Sequence, residues 1–258
     1  MKNVSVLGGG WLGLPLSEFL SAKGFSVQVS TRSVDRLKTL EEHGLRVYQI
    51  DLAKKQFGEL EFYNSEILIV NIPFKDVQAY SGLIEVIEQS SITHVIFVSS
   101  TSVYGNKEGL ISEDDSDYLV PCSLLEIEQL FITNKNFTTT VVRFGGLIGH
   151  SRNPALFFKS GKLVQNPDSK VNMIHRDDCI NILQLIIEKG MWGKIYNGCA
   201  DTHPTKRAFY THAAKLTNVP VPLFSEANDG LYKTVSNRKV KEELSYDFIH
   251  PNLLNLTL

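Results

Sequence analysis

The chain has few cysteines, no long apolar run and no recognisable leader. Its three cysteines, Cys122, Cys179 and Cys199, form no C-x-x-C pair and cannot all be joined in disulfides, so we expect a reducing compartment, the cytoplasm. No apolar run approaches the roughly 20 residues that a membrane span needs. The first residues also lack the length and the cleavage site of a signal peptide. We therefore expect no association with a membrane.

An excess of positive charge is absent as well. The 26 Lys and Arg residues face 28 Asp and Glu residues, which gives a formal net charge of −2. The charges are spread along the chain and form no basic face of the kind that follows a phosphate backbone, so nucleic acid is not expected as a partner. No metal site is expected either, because metal-ligand spacing is missing among the scattered histidines His94, His150, His203, His212 and His250.

Short apolar runs of β character alternate with longer segments of helical period. This alternation is typical of βαβ units on a parallel sheet, and strands that are apolar on both faces are buried in such a sheet. The sequence therefore predicts an α/β fold of the Rossmann type, a doubly wound parallel sheet with helices on both faces. The predicted strands are residues 4–7, 26–29, 46–50, 67–72, 94–100 and 140–144, and the predicted helices are residues 14–23, 34–43, 77–90, 124–134, 177–189 and about 204–216.

The chain length and a change of pattern predict the domain organisation. A chain of 258 residues suits one α/β unit with a small additional lobe. After residue 149 the pattern gives way to stretches rich in Gly, Pro, Asn and Ser. We expect residues 1–150 to form the dinucleotide-binding domain, with residues 176–198 returning to it, and residues 151–175 and 199–258 to form a small interleaved C-terminal lobe that binds substrate.

A glycine-rich loop follows the first strand directly and opens a helix. Gly8, Gly10 and Gly13 form the pattern G-x-G-x-x-G. In a dinucleotide site these glycines allow the tight turn, the approach of the backbone to the pyrophosphate and the close packing of helix on strand. The alternative is a glycine-rich turn without a ligand, but the surrounding βαβ pattern favours nucleotide binding. Trp11 and Leu12 lie inside the loop and are predicted to contact the cofactor with it.

The residues after the second strand predict the choice of cofactor. An acidic residue at this point binds the ribose hydroxyls of NAD, whereas an arginine accommodates the 2′-phosphate of NADP. The chain has Arg32 here, with hydroxyls on Thr31 and Ser33 and no carboxylate before Asp35. The sequence therefore favours NADP, with NAD as the second choice. The alternative is that Arg32 is an ordinary solvated loop residue.

Further cofactor contacts are predicted at the ends of later strands. Asp51 and Leu52, just past the third strand, are placed beside the adenine, although an aspartate that caps the next turn explains Asp51 nearly as well. Ile72 and Pro73 follow the fourth strand, and Ser99 lies at the end of the fifth. Parallel sheets bind ligands at the carboxyl ends of their strands.

Three segments carry a family resemblance. Residues 99–105 read S-S-T-S-V-Y-G, residues 142–149 read V-R-F-G-G-L-I-G, and residues 173–178 read M-I-H-R-D-D. They resemble the S-S-x-x-V-Y-G, L-R-x-x-x-x-Y-G and F-I-H-x-D-D segments of the extended short-chain dehydrogenase/reductases. The resemblance spans nearly the whole chain and is closest to small atypical bacterial members named as NAD(P)-dependent epimerases or sugar-nucleotide dehydratases.

The sequence departs from this family at the residues that move protons. The resemblance implies a catalytic serine, a tyrosine, and a lysine four residues after the tyrosine. Ser100 matches the serine, but no Y-x-x-x-K occurs anywhere in the chain. In this family a glutamate follows the tyrosine–lysine dyad. Alignment of Glu128 with that glutamate puts Val120 and Leu124 at the tyrosine and lysine positions. A smaller departure is Leu7, which replaces the first glycine of the family's loop.

Ser100 and Tyr104 are the predicted catalytic residues. A serine hydroxyl by itself is a poor acid or base, so a substitute for the tyrosine is needed, and Tyr104 and Tyr118 are the candidates. Neither has a lysine or arginine at the helical spacing of four residues to lower its pKa, and a tyrosine in V-Y-G is more often a packing residue of this turn. His175 is interpreted as a hydrogen-bonded bridge between strand and helix, and Arg143 as a phosphate ligand or a partner of an internal carboxylate.

Three functions are compatible with these observations. The leading hypothesis is an NADP-dependent oxidoreductase, epimerase or dehydratase that acts on a carbohydrate-like small molecule or sugar nucleotide, as a monomer or homodimer. The second is a non-catalytic NADP-binding sensor or regulator, which the missing dyad favours. The third, a hydroxyacid-type dehydrogenase, leaves the S-S-T-S-V-Y-G segment unexplained.

Overall fold

The computed structural model describes residues 2–158, 163–226 and 232–256. Among these residues, no helix is long and apolar enough to cross a membrane. The strands are β1 (Asn3–Leu7), β2 (Ser26–Thr31), β3 (Arg46–Gln49), β4 (Ile67–Val70), β5 (His94–Ser100), β6 (Gly109–Ile111), β7 (Thr138–Phe144), β8 (Gly146–Ile148), β9 (Met173–His175), β10 (Ile195–Gly198) and β11 (Lys233–Val235). The helices are α1 (Gly13–Ala22), α2 (Asp35–Glu42), α3 (Val77–Glu88), α4 (Ser123–Ile132), α5 (Arg176–Lys189), α6 (Lys206–Leu216) and α7 (Arg238–Leu244).

A seven-stranded sheet forms the centre of the fold, in the order β10-β7-β5-β4-β1-β2-β3. The neighbours β1–β2, β2–β3, β1–β4 and β4–β5 pair in parallel. The chain runs outward from β1 to β3 and then returns to the other side of β1 with β4. The strand order therefore reverses between β1 and β4, and such a switch point is where open α/β sheets bind ligands.

The predicted fold class is confirmed, and all six predicted strands are present in the central sheet. The seventh strand, β10, was not predicted, because its four residues carry too little apolar pattern to stand out. The strands β6, β8, β9 and β11 were also missed. Each has three residues, and they pair as β6–β11 and β8–β9 outside the central sheet.

Helix α4 begins at Ser123, one residue before its predicted start, so it contains only one of the two positions assigned to the missing dyad. Val120 precedes the helix and is exposed, whereas Leu124 lies inside it and is buried. Pro121 explains the difference, since proline disfavours helical backbone at the residue before it. Val120 and Leu124 therefore do not lie one turn apart on a single helix.

The chain divides into two compact units. The first comprises Met1–Ser99, Pro121–Val142 and Leu183–Ile195, and the second comprises Ser100–Val120, Arg143–Ile182 and Tyr196–Leu258. This division differs from the predicted lobes, because residues 100–120, 143–150, 176–182 and 196–198 belong to the second unit. Within the first of these segments, β6 pairs with the C-terminal strand β11. Of the predicted substrate lobe, residues 159–162, 227–231 and 257–258 lie outside the described residues.

The core of the first unit is the apolar sheet with helices packed on it. The residues of β4 are completely buried, as are Leu16 and Leu20 of α1. Tyr80 of α3 meets Phe97 of β5 edge to face, with 5.9 Å between ring centroids. Burying one large apolar side chain contributes about 1.5–3 kcal/mol, so this packing holds the strand ends in place.

Candidate cofactor site and the Ser100 turn

A pocket of about 320 Å³ lies in the first unit at the carboxyl ends of β1, β2, β3 and β4. It therefore occupies the point where the strand order reverses. Its volume is at the lower end of the range for small-molecule sites. It is lined by Leu7, Gly8, Gly9, Gly10, Ser30, Thr31, Arg32, Arg36, Ile50, Asp51, Leu52, Ala53, Asn71, Ile72, Pro73 and Phe74.

The glycine loop is held between the ends of β2 and β4. The Gly8 N–H donates to Ser30 Oγ at 3.1 Å, and the Gly9 N–H donates to the Ser30 carbonyl at 2.6 Å. On the other side, the Asn71 N–H donates to the carbonyl of Leu7 at 2.9 Å. Ser30 and Asn71 were not predicted as site residues, because a single serine or asparagine after a strand carries no motif.

The three motif glycines differ in how much room a side chain would have. Gly8 has φ +107°, and a Cβ there would lie 2.5 Å from the Asn71 carbonyl oxygen. A Cβ on Gly13 would lie 1.9 Å from the Gly8 carbonyl oxygen. A Cβ on Gly10 would meet no atom within 4 Å, although Gly10 lines the pocket. Gly8 and Gly13 are thus required by the protein itself, whereas Gly10 leaves room for a ligand.

Two arginines border the pocket after β2. Arg32 and Arg36 are both exposed, and within the described ranges neither side chain forms an ion pair. The sequence predicted Arg32 but missed Arg36, which lies in the first turn of α2. No helical spacing relates the two arginines, because Arg32 precedes α2.

Asp51 fits both interpretations that its sequence position left open. Its Oδ1 accepts the Ala53 N–H at 3.1 Å and so caps the short turn that begins at Leu52. Asp51 and Leu52 also line the pocket. An aspartate can therefore cap this turn and border the pocket at once.

The predicted cofactor contacts divide into two groups. Those that line the pocket are Gly8, Gly10, Thr31, Arg32, Asp51, Leu52, Ile72 and Pro73, and those outside its lining are Trp11, Leu12, Gly13, Ser33 and Ser99. Leu12 and Gly13 are buried. Ser99 is also buried and donates its hydroxyl proton to Glu128 Oε1 at 2.5 Å, so its side chain is already engaged inside the first unit. All of these contacts stay predictions.

Ser100 ends β5 and opens the turn that carries the S-S-T-S-V-Y-G segment. Its Oγ accepts the Ser102 N–H at 3.1 Å, which leaves its own proton for a second partner. Lys233 of β11 holds the same turn, since its Nζ donates to the Tyr104 carbonyl at 2.6 Å and to the Thr101 carbonyl at 3.3 Å. Burial lowers the pKa of Lys233. The sequence did not single out Lys233, which is 133 positions from Ser100.

Tyr104 is enclosed in a buried polar network of the second unit. Its hydroxyl donates to Asn197 Oδ1 at 3.0 Å and accepts from Arg143 Nη1 at 2.9 Å. Burial raises the pKa of Tyr104, and the Arg143 guanidinium opposes this only in part. Glu113, a further carboxyl group here, accepts the Asn197 N–H at 2.6 Å. The arrangement favours the packing role of Tyr104 and an internal role of Arg143.

Tyr118 and His175 have less to offer to proton transfer. The Tyr118 hydroxyl donates to the Glu108 carbonyl at 3.2 Å. His175 is buried at the end of β9, and its Nδ1 accepts the Asp177 N–H at 3.3 Å. His175 therefore joins strand and helix as the sequence indicated.

The chain was compared with known protein families, sequences and structures. No protein-family model matches the chain. Protein YeeZ of Escherichia coli (strain K12) is 29% identical to this chain over 274 residues, and the alignment covers 100% of both proteins. A protein from Methylobacillus flagellatus classed as an NAD-dependent epimerase/dehydratase superposes with a TM-score of 0.80 at 22% identity, over 97% of this chain and 94% of that one. MoeE5, solved with UDP-glucose and NAD, superposes with a TM-score of 0.77 at 20% identity, over 96% and 93%.

The chain has the fold of the NAD-dependent epimerases and the short-chain dehydrogenase/reductases. The resemblance read from its motifs is thereby confirmed at the level of the fold. The alignment that puts Val120 and Leu124 at the family's tyrosine and lysine positions stays a prediction.

Proposed function

We propose that this chain is an NADP-dependent enzyme of the short-chain dehydrogenase/reductase type that acts on a carbohydrate or sugar nucleotide. The pocket at the switch point carries the proposal, because it is lined by the glycine loop that precedes α1 and by two arginines without an ion-pair partner among the described residues. Helix N-termini and glycine loops bind the pyrophosphate of dinucleotides.

The residues present fit this cofactor. Gly10 and the amides that open α1 would bind the pyrophosphate, since no protein atom occupies the space beside Gly10. Leu52 and Asp51 would border the adenine, and Arg32 with Arg36 would bind the 2′-phosphate. The bound nicotinamide would supply or accept the hydride.

Cofactor specificity follows from the two guanidinium groups. Only NADPH adds a dianionic phosphate beside Arg32 and Arg36, and charge-assisted hydrogen bonds to phosphate are strong. We expect NADPH to bind more tightly than NADH by about 1–2 kcal/mol, a value reduced from that of a buried pair because both side chains are exposed.

Titration calorimetry with both cofactors tests this specificity. Arg32→Ala and Arg36→Ala should each weaken NADPH binding and leave NADH binding nearly unchanged. Arg46→Ala is the matched control, because Arg46 is an exposed arginine of β3 whose Nη1 pairs with Glu61 at 3.3 Å. Equal losses for NADPH and NADH in the Arg32 variant would contradict the assignment.

The proposed substrate class rests on the similar structures and on Ser100. MoeE5 binds UDP-glucose together with NAD, and Ser100 ends a central strand with its hydroxyl proton free to reach a substrate oxygen. Hydride exchange between bound labelled NADPH and a pool of keto-sugar nucleotides tests the class. Exchange that is lost in Ser100→Ala would support it, whereas exchange that survives this change would remove Ser100 from the reaction.

Lys233 is the titratable group that we propose for proton transfer beside the Ser100 turn. Its ammonium contacts the turn directly, and burial moves its pKa toward the range in which a lysine acts as a base. In the exchange assay, Lys233→Met should abolish the rise of the rate with pH that accompanies deprotonation of the lysine, and Lys233→Arg should shift that rise to higher pH or remove it. Lys239→Met, a change at a lysine whose Nζ stacks on Tyr196, should leave the pH profile unchanged.

A non-catalytic NADP sensor remains the second candidate, and the residues Val120 and Leu124 favour it. A missing general base forfeits roughly 10²- to 10⁴-fold in rate. Tight NADPH binding without any exchange would support the sensor. Measurable exchange would support the enzyme.

A further inference from the structure

Three histidines of the second unit surround one carboxylate. Asp177, the second residue of α5, has His150 Nε2 at 2.8 Å from its Oδ1. On the other oxygen, Oδ2, it has His175 Nδ1 at 3.5 Å and His250 Nε2 at 3.7 Å. The cofactor pocket and the Ser100 turn include none of these four residues.

The His150 and His175 separations from the two oxygens of Asp177 lie on either side of the separation expected around a small metal ion. A tetrahedral zinc ion with bonds of about 2.0–2.1 Å holds its ligand atoms about 3.3 Å apart. The His175–Asp177 separation is close to this value, and the His150–Asp177 contact would have to lengthen by about half an ångström. One nitrogen of His150, one nitrogen of His175 and one oxygen of Asp177 all lie within 4.8 Å of one another.

The fold decides which nitrogen of His175 faces the carboxylate. A Cβ on Gly149 would lie 2.1 Å from His175 Nε2, so this nitrogen packs against the Gly149 backbone. Nδ1 therefore points to Asp177, where it accepts the backbone N–H at 3.3 Å and lies 3.5 Å from Oδ2. A bound ion would take the Nδ1 lone pair in place of that N–H.

Exposure gives the cluster an open side. The side chains of His150 and Asp177 are 43% and 38% exposed, whereas that of His175 is 6% exposed. An ion could therefore reach the cluster from solvent and retain a water molecule as a further ligand. The ring of His250 packs against that of His175 with 3.8 Å between centroids and a tilt of 46°.

We propose that His150, His175 and Asp177 bind a divalent transition-metal ion of the zinc class, with His250 as a neighbour that orients Asp177. Two imidazoles and one carboxylate are ligands that zinc and its neighbours in the first transition row prefer, whereas magnesium and calcium prefer oxygen alone. The bound ion joins the turn after β8, the end of β9 and the start of α5. No metal motif is visible in the sequence, because 24 residues separate the first two of these ligands from each other.

Cobalt(II) is the probe for this site, because it gains visible absorption when histidine and carboxylate ligands replace its water. The full chain, without a histidine tag and stripped with a chelator, is titrated with Co²⁺ and then with Zn²⁺. We expect one equivalent of Co²⁺ to produce the absorption and Zn²⁺ to remove it. His150→Ala should weaken Co²⁺ binding by at least about tenfold, and His250→Ala should weaken it less.

A matched control is available in the first unit. His43 Nδ1 contacts Glu18 Oε1 at 2.6 Å and is exposed to a similar degree, at 41%, but has no second histidine beside it in the described structure. His43→Ala should bind Co²⁺ as the wild type does. The proposal is overturned if the wild type shows no new absorption, or if His150→Ala, shown to be folded by circular dichroism, binds as the wild type does. NADPH titration of the same variants separates this result from that of the proposed function, because it reports on the other unit.

Discussion

Gly10 and Gly13 belong to one motif, but the structure predicts opposite consequences for their replacement by alanine. A Cβ on Gly13 would lie 1.9 Å from the Gly8 carbonyl oxygen, where ordinary contacts begin at 3.4 Å. The helix or the loop would have to move by more than 1 Å, and overpacking of this kind costs about 1–3 kcal/mol. Gly13→Ala should therefore lower the free energy of unfolding by this amount, whether or not a nucleotide is present.

Gly10→Ala should leave the fold intact and damage only binding. Gly10 has no positive φ, and a Cβ there meets no atom within 4 Å. Replacing glycine by alanine at a compatible position stabilises a protein by about 0.4–1 kcal/mol through the unfolded state. The added methyl group stands where the pyrophosphate would approach the backbone, so we expect NADPH to bind at least about tenfold more weakly, a loss of about 1.4 kcal/mol.

Urea denaturation measures the first quantity and NADPH fluorescence titration the second, on both variants. A Gly10→Ala variant that binds NADPH like the wild type would refute the placement of the pyrophosphate. A Gly13→Ala variant as stable as the wild type would refute the argument from close packing. If both variants lose stability equally, the contrast drawn from the two Cβ positions is wrong.

Three further predictions concern buried polar groups. Ser99→Ala should cost about 1–3 kcal/mol in urea denaturation, because the buried Glu128 loses a donor at 2.5 Å, and an unchanged stability would count against that hydrogen bond. Tyr104→Phe should cost a similar amount, because it strips a hydrogen bond from each of two buried partners of the hydroxyl; lost turnover with unchanged stability would instead make Tyr104 a catalytic acid. Partial burial lowers the pKa of His94 below its ordinary 6.5, and its ring lies 4.3 Å from that of Trp192. In a variant without Trp11, the fluorescence of Trp192 should therefore change as His94 becomes protonated, with a midpoint below pH 6.5. His94→Gln should abolish this change, and a midpoint above 6.5 would contradict the effect of burial.

Motifs that are contiguous in the chain were readable from sequence. A strand, a glycine loop and a helix follow one another within residues 3–22, so short-range geometry alone determines their arrangement. The same holds for Arg32, which follows β2 directly. The central sheet was readable for a related reason, since buried parallel strands need apolar residues on both faces and so stand out from their surroundings.

The partners of these motifs were decided only by the tertiary structure. Asn71 reaches Gly8 because β4 returns beside β1, and Lys233 reaches the Ser100 turn because β11 pairs with β6. The interior position of Tyr104 likewise depends on a hydrogen bond to Asn197, 93 residues away. Periodicity and spacing carry no information about such contacts.

The histidine cluster shows the same limit for a binding site. In the sequence, His150, His175 and His250 are isolated residues without metal-ligand spacing, and the sequence therefore predicted no metal. In the fold, all three imidazoles lie within 3.7 Å of one carboxylate. The sequence by itself determined six strands of the central sheet and the glycine loop, because both arise from local patterns of apolar residues and glycines. The tertiary structure alone decided which distant side chains meet, because strand order and crossovers set those distances.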